Sequence, residues 1–210
     1  MQDEGSQLAA LLLARAPLEG PDAAWLDMCA GPGGKAGLLA AVRPEGVRLT
    51  AADRAPHRAE LVRKALAGEE DVEVLAADGL TPPWALGSFD RVLLDAPCTG
   101  LGALRRRPEV RWRRTADDVA PLAELQTALL DSALTSVRVG GVVAYVTCSP
   151  HHAETVAVVD AATARDDVEV LPVPPLFPDV PHMARGDHGQ LWPHRHGTDA
   201  MFMALLRRTR

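Results

Sequence analysis

Apolar positions along this chain keep two rhythms that take turns. Short apolar runs occupy residues 24–29 (AWLDMC), 47–53 (VRLTAAD), 72–78 (VEVLAAD), 89–97 (FDRVLLDAP) and 141–148 (GVVAYVTC). Between them, residues 34–42, 57–68 and about 116–137 repeat apolar positions every three or four residues, the spacing of one helix face. Strand and helix in alternation predict βαβ units, and so a parallel sheet with helices over both faces. Residues 5–16 read as a helix leading into the first strand, and residues 151–164 as another helix. Two late strand candidates, VEVLPV at 168–173 and AMFMALLRR at 200–208, suit an antiparallel addition at the end of the sheet. The irregular stretch at 171–189 between them reads as an ordered surface loop rather than a domain boundary.

With 210 residues, 47% of them hydrophobic, the chain can bury one sizeable core, and a single domain over residues 1–210 is expected. There is no apolar run of about 18 residues and no basic, apolar leader at the N-terminus, so a soluble, cytoplasmic protein with no membrane partner is expected. The net charge of -6 argues against a chain that coats nucleic acid nonspecifically. One local basic cluster changes that picture. LRRRPEVRWRR gathers Arg105, Arg106, Arg107, Arg111, Arg113 and Arg114 around Trp112, which is either a solvated loop or a phosphate-binding patch with a stacking platform.

The stretch LDMCAGPGGKAG follows a predicted strand and opens a helix, where backbone amides approach a ligand closely. Gly31, Gly33 and Ala36 satisfy G-x-G-x-x-A, and Asp53 ends the next strand, placed to accept from ribose hydroxyls. A nicotinamide-dependent dehydrogenase and a methyltransferase that uses S-adenosylmethionine (AdoMet) both want this arrangement. A phosphate loop does not fit, because Cys29 and Ala36 stand where Gly and Ser or Thr are required. Asp27, Asp53, Asp78 and Asp95 fall at or near the carboxyl ends of the first four strands, the edge where an open parallel sheet binds ligands. A row of acceptors suits hydroxyls, an amino group and an ammonium, and repels a pyrophosphate; this favours AdoMet.

Three cysteines, an odd and widely spaced set, indicate neither a disulfide framework nor a structural metal. Cys29 sits inside the glycine turn and reads as a small buried residue. Cys98 and Cys148 are both expected at the ligand edge, where a thiolate can reach a substrate. Beside a methyl donor, a soft nucleophile suggests pyrimidine chemistry: carbon 5 becomes nucleophilic enough to be methylated once a thiolate has added to carbon 6. Six of the seven histidines (His151, His152, His182, His188, His194, His196) lie in predicted loops and helix starts without ligand spacing, so surface or capping roles are expected.

DMCAGPGGKAG, DAPCTGLGALRRRPEVRW and YVTCSPHHAE together resemble the NOL1/NOP2/Sun family of RNA cytosine-5 methyltransferases, most closely its bacterial RsmB (Fmu/Sun) branch, which modifies small-subunit ribosomal RNA. The resemblance runs from QDEGSQL to GTDAMFMALLRR, nearly the whole chain. It implies a class I methyltransferase fold with a mostly parallel seven-stranded sheet, an antiparallel last strand and helices on both faces. It further implies that Cys29, Ala30, Gly31, Pro32, Gly33, Gly34 and Lys35 line AdoMet, with Asp53 on the ribose, Asp78 near the adenine and Asp95 near the reacting centre. Cys148, in TCS, is then the nucleophile, and Cys98, in PC, helps to release the product. DNA cytosine methyltransferases carry their attacking cysteine in a Pro-Cys motif, so that precedent alone points to Cys98 instead. Arg105, Arg106, Arg107, Arg111 and Trp112 are the RNA-binding candidates. The family's upstream RNA-binding domain is missing from these residues, and a monomer is expected. Ala36 departs from the Thr or Ser that usually follows the family's GGK. Two rival readings are a nicotinamide-dependent oxidoreductase, which leaves Cys98 and Cys148 unexplained, and a noncatalytic RNA-binding module that keeps the fold.

Overall fold

The computed structural model describes residues 2–210. The first helix, α1 (Glu4–Arg15), starts at Asp3, whose carboxylate accepts from the Gly5 N–H. Four strands follow, three of them with helices: β1 (Ala24–Asp27) and α2 (Gly34–Val42), β2 (Arg48–Asp53) and α3 (Pro56–Ala65), β3 (Val72–Ala76) alone, then β4 (Phe89–Asp95) with the short α4 (Val110–Arg113) and the long α5 (Val119–Ser136). The chain closes with β5 (Val137–Thr147), α6 (Val156–Thr163), β6 (Val168–Leu171), the hairpin β7 (Ala184–Arg185) and β8 (His188–Gln190), the turn-length α7 (Pro193–His196) and β9 (Phe202–Arg208).

The sheet runs β3-β2-β1-β4-β5-β9, the first five strands parallel and β9 antiparallel to β5. Both β6 and β8 pair with β9, along different stretches of it. Among the described residues the sheet therefore has nine strands, the seven expected plus the β7–β8 hairpin, which forms inside the stretch read as loop. The helix expected from about 116 to 137 begins as a 3₁₀ turn at Ala116–Asp118, and Val137 already belongs to β5. Gly140 and Gly141 lie at an irregularity there: the β4–β5 register shifts between Phe89 and Arg91, and a side chain at 141 would meet the Asp90 carbonyl at 2.8 Å.

Alternate residues of each strand serve opposite cores, as a sheet covered on both faces requires. Trp25, Leu49, Leu93, Val142 and Val146 pack under α1 and α2, whereas Leu26, Val92, Leu94, Val143 and Tyr145 pack under α5 and α6. Each fully buried Leu or Val contributes about 1.5–3 kcal/mol. Buried Arg91 fastens the far end of α1 to the sheet by donating to the carbonyls of Leu13 and Ala16 (2.7 and 2.8 Å) while it pairs with Asp22. With α1 fixed this way, its N-terminal turn stands over the carboxyl edge of the sheet.

Candidate active site

Along that edge lies a cleft of about 1100 Å³. Asp27, Cys29, Ala30, Gly31, Pro32, Gly34, Lys35, Asp53, Asp78, Asp95, Cys98 and Cys148 all line it, so residues drawn from five strand ends converge on one space. This volume is at the upper end of, or above, the roughly 300–1,000 Å³ of a small-molecule pocket, which leaves room for two ligand groups side by side.

The glycine turn brings backbone to the cleft because side chains would block it. A Cβ on Gly31 would lie 2.4 Å from Asp53 Oδ2, and the Gly31 N–H donates to that oxygen at 3.0 Å. Asp53 also accepts from the Ala55 N–H at 2.9 Å, and Arg58, a residue the sequence reading passed over, bridges Asp53 and the Gly31 carbonyl. Gly33 does not line the cleft: with φ at +109°, it turns toward α3, where a side chain would meet the Ala65 Cβ at 2.7 Å. Its contribution is the turn and the packing of α3. Asp78 lies two residues beyond β3 and accepts from the Leu80 N–H at 3.0 Å.

Asp27 is fully buried, and neither of its oxygens has a hydrogen-bond partner among the described residues. Burial, reinforced by the charge of Asp95 and partly offset by Lys35, pushes its carboxyl up to about 7. A buried acceptor left open in a cleft is a site for a cation or a strong donor. Burial, then the Asp27 charge, pushes the neighbouring Cys29 thiol far up, which keeps it protonated and inert.

Cys98 and Cys148 meet at 3.4 Å, sulfur to sulfur. The two differ in character. Cys148 is held below the ordinary thiol value, first because the Cys98 S–H donates to its sulfur and then because Lys35 is near; burial and Asp95 oppose this. Cys98 is raised well above that value by the same hydrogen bond and by burial. Lys35 Nζ stands 2.6 Å from Asp95 Oδ2; burial works against its charge, but Asp95 more than offsets this and the ammonium is held more firmly than usual.

The segment after Cys98 is sewn to the segment around Cys148. The Gly102 N–H donates to the Cys148 carbonyl, and the Ala200 N–H to the Gly102 carbonyl, both at 2.9 Å. Of the basic cluster, Arg106, Arg107, Arg113 and Arg114 line the cleft, whereas Arg105, Arg111 and Trp112 lie outside its lining. Arg105 and Arg106 are already committed to the buried carboxylates of Asp3 and Asp199. Arg107 and Arg113 have no carboxylate partner among the described residues, and Trp112 is 82% exposed with the Arg111 guanidinium over its ring. His151 and His196 accept from the N–H groups of Ala153 and Trp192 as expected of capping residues, but His188 is in β8 and packs on Phe202. Gln2, Asp3 and Ser6 also line the cleft and were not anticipated, since they lie far from every motif.

Residues 13–207 match the protein family described as "16S rRNA methyltransferase RsmB/F". The chain belongs to the RsmB/F methyltransferase family. "Putative methyltransferase Rv1407" of Mycobacterium tuberculosis (strain H37Rv) is 56% identical over 210 residues, which cover 99% of this chain and 46% of that protein. "Ribosomal RNA small subunit methyltransferase B" of Pseudomonas syringae pv. tomato is 38% identical over 211 residues, covering 98% and 46%. Among solved structures, NSun6 from Pyrococcus horikoshii with SFG superposes with a TM-score of 0.84 at 27% identity, over the whole of this chain and 53% of that one. The chain thus spans about half the length of the relatives it matches, and its fold is the class I methyltransferase fold. RsmB/F membership also sets the dehydrogenase reading aside.

Proposed function

We propose that this protein methylates carbon 5 of a cytosine in RNA, namely 16S ribosomal RNA, through a covalent bond between Cys148 and carbon 6. One observation carries the reading: the sulfurs of Cys98 and Cys148 meet at 3.4 Å in the cleft that Asp27, Gly31, Asp53 and Asp78 also line. That cleft fits AdoMet. The open carboxylate of Asp27 suits its ammonium, the Gly31 turn lets backbone approach closely, and Asp53 and Asp78 offer acceptors to ribose and adenine.

A flipped-out cytosine enters beside Cys98 and Cys148, at an unstacking cost of a few kcal/mol that is least in loops. Cys148 adds as thiolate to carbon 6, and the electron pair of the 5,6 double bond moves to carbon 5. Asp95, braced by Lys35, positions the base. Bound AdoMet supplies the electrophilic methyl group. Loss of the proton from carbon 5 restores the double bond and expels the Cys148 sulfur, and Cys98 assists this release. Arg107, Arg113 and Trp112 suit the RNA backbone and bases. Residues 1–210 would form the catalytic domain of a cytoplasmic monomer, with an upstream RNA-binding domain supplying target choice in the full-length protein.

The test uses 16S RNA from a strain that lacks the enzyme. Incubation with the protein and labelled AdoMet should yield 5-methylcytidine in the nucleoside digest; label in another nucleoside, or none, would overturn the reading. Thermal stabilisation by AdoMet and not by NAD checks the cofactor independently. The noncatalytic alternative predicts RNA binding with no product.

A further inference from the structure

Glu154 is fully buried and outside the lining of the cleft. Its Oε1 accepts from the Thr99 N–H at 2.7 Å and from Gln126 Nε2 at 3.1 Å. Its Oε2 accepts from Thr99 Oγ1 and from Ser149 Oγ, both at 2.6 Å. Thr99 is the residue after Cys98, and Ser149 is the residue after Cys148. Gln126 extends the grip from α5 to the other side of Cys98, donating to the Pro97 carbonyl at 2.8 Å.

We propose that Glu154 is a positioning residue, whose carboxyl clamps the residue following each cysteine and so holds Cys98 and Cys148 in the mutual geometry that their reaction needs. The inference rests on the reading of Cys148 as the nucleophile. A buried carboxyl costs several kcal/mol unless its acceptor sites are filled, and an apolar side chain fills space without that cost. Here four donors converge on it, three of them from the residues next to the two cysteines. Such an arrangement links two strand-end segments, 50 residues apart, through one rigid group. The S–H···S contact needs that support, because sulfur is a weak donor and acceptor. Loosening either segment would break it, and a displacement of about 1 Å at a reacting centre costs about a hundredfold in rate.

Around Cys148 also stand Lys35, Asp95, Arg106 and Asp199, whose charges bear on the same sulfur. The variants for the test leave all four untouched. Glu154→Gln keeps the volume but replaces one acceptor by a donor. Thr99→Val removes one hydroxyl and leaves the carboxyl in place, and Thr99→Ser restores the hydroxyl. The full chain, without RNA or AdoMet, is alkylated with iodoacetamide across a pH series, and the two cysteines are quantified separately by peptide mass spectrometry. In the wild type, Cys148 should react at lower pH than Cys98. In Glu154→Gln and Thr99→Val the two midpoints should draw together by about one pH unit, a tenfold change in the thiolate equilibrium, with Thr99→Ser returning to wild type. In steady-state methylation, kcat should fall while KM stays.

An unchanged separation in folded Glu154→Gln would overturn the proposal, as would a wild type whose cysteines titrate together. If Glu154→Gln fails to fold, Thr99→Val decides in the same way. Because alkylation needs neither RNA nor AdoMet, a collapse of the separation in a protein that makes no 5-methylcytidine would retain the clamp and reject the proposed function. The reverse result would reject the clamp alone.

Discussion

Lys35 and Asp95, sixty residues apart in sequence, close an ion pair of 2.6 Å within the cleft. Lys35 belongs to the first turn of α2 and Asp95 ends β4, so the pair ties the cofactor turn to the segment that carries Cys98. It also places the Lys35 ammonium where Asp27, Asp95 and Cys148 all feel it. Lys35→Met should therefore move the alkylation midpoint of Cys148 upward. It should also destabilise the protein by about 1–3 kcal/mol, since Asp95 loses its partner while half-buried. Thiol titration and urea unfolding measure the two effects separately.

Cys148→Ala should abolish methylation and covalent RNA capture alike. Cys98→Ala should form the bond to RNA and release it slowly, so that a complex stable to denaturing electrophoresis accumulates. An adduct that persists in Cys148→Ala would reverse the two assignments.

Asp27 gives the protein a pH signature. Its carboxyl is raised in the folded state to about 7 from an ordinary value of 3.8. Below about pH 4 both the folded and unfolded states hold the proton; as pH rises through 7 the unfolded state has already lost it, and folding stability falls across that window. Asp27→Asn removes the effect. Its stability relative to wild type should grow by about 2–4 kcal/mol between pH 4 and pH 8, read from urea midpoints at the two values. AdoMet affinity in the wild type should rise as pH increases through 7, and Asp27→Asn should flatten that dependence while weakening binding.

Gly102 has no room for a side chain. A Cβ there would lie 2.2 Å from the Ala200 carbonyl oxygen and 2.8 Å from that of Cys148, backbone atoms of the two residues to which Gly102 is hydrogen-bonded. Gly102→Ala should cost about 1–3 kcal/mol of stability by overpacking, visible in thermal unfolding, and lower kcat because the Cys148 carbonyl must shift.

The basic cluster should divide by function. Replacing Arg107 and Arg113 by Gln should weaken RNA binding and reduce the slope of log K against log salt, by about 0.7 for each single-strand phosphate that is no longer neutralised. Arg106→Gln should instead lower the melting temperature, because it leaves the buried Asp199 carboxylate short of its partner. Filter binding across a salt series and calorimetry separate the two.

The gathering of the strand-end residues on one edge is legible in the sequence. Strand ends show in the apolar runs, and a parallel sheet necessarily gathers such ends on one edge, so Asp27, Asp53, Asp95, Cys98 and Cys148 could be placed together from spacing alone. That Gly33 turns toward α3 is not legible, because the pattern G-x-G-x-x-A does not say which glycine packs on a helix. The β7–β8 hairpin was missed because two- and three-residue strands carry no periodicity. Arg58, Asp3, Asp199 and Glu154 escaped for a different reason. Each has a partner 27 to 196 residues away, and only the fold makes them neighbours. A single signal was available for Glu154, the one acidic residue between Cys148 and the apolar run that opens α6.

The anchoring of the first turn of α1 by Asp3 has a practical side. Asp3 holds Arg105 and accepts from the Asp199 N–H, and Gln2, Asp3 and Ser6 face the cleft, so a bulky label attached to this turn would hang over its mouth. Strand β9 runs the opposite way, from Phe202 beside Thr147 to Arg208 at the far edge of the sheet. A fluorophore on Arg208 would therefore report from the opposite edge of the sheet and leave substrate entry clear.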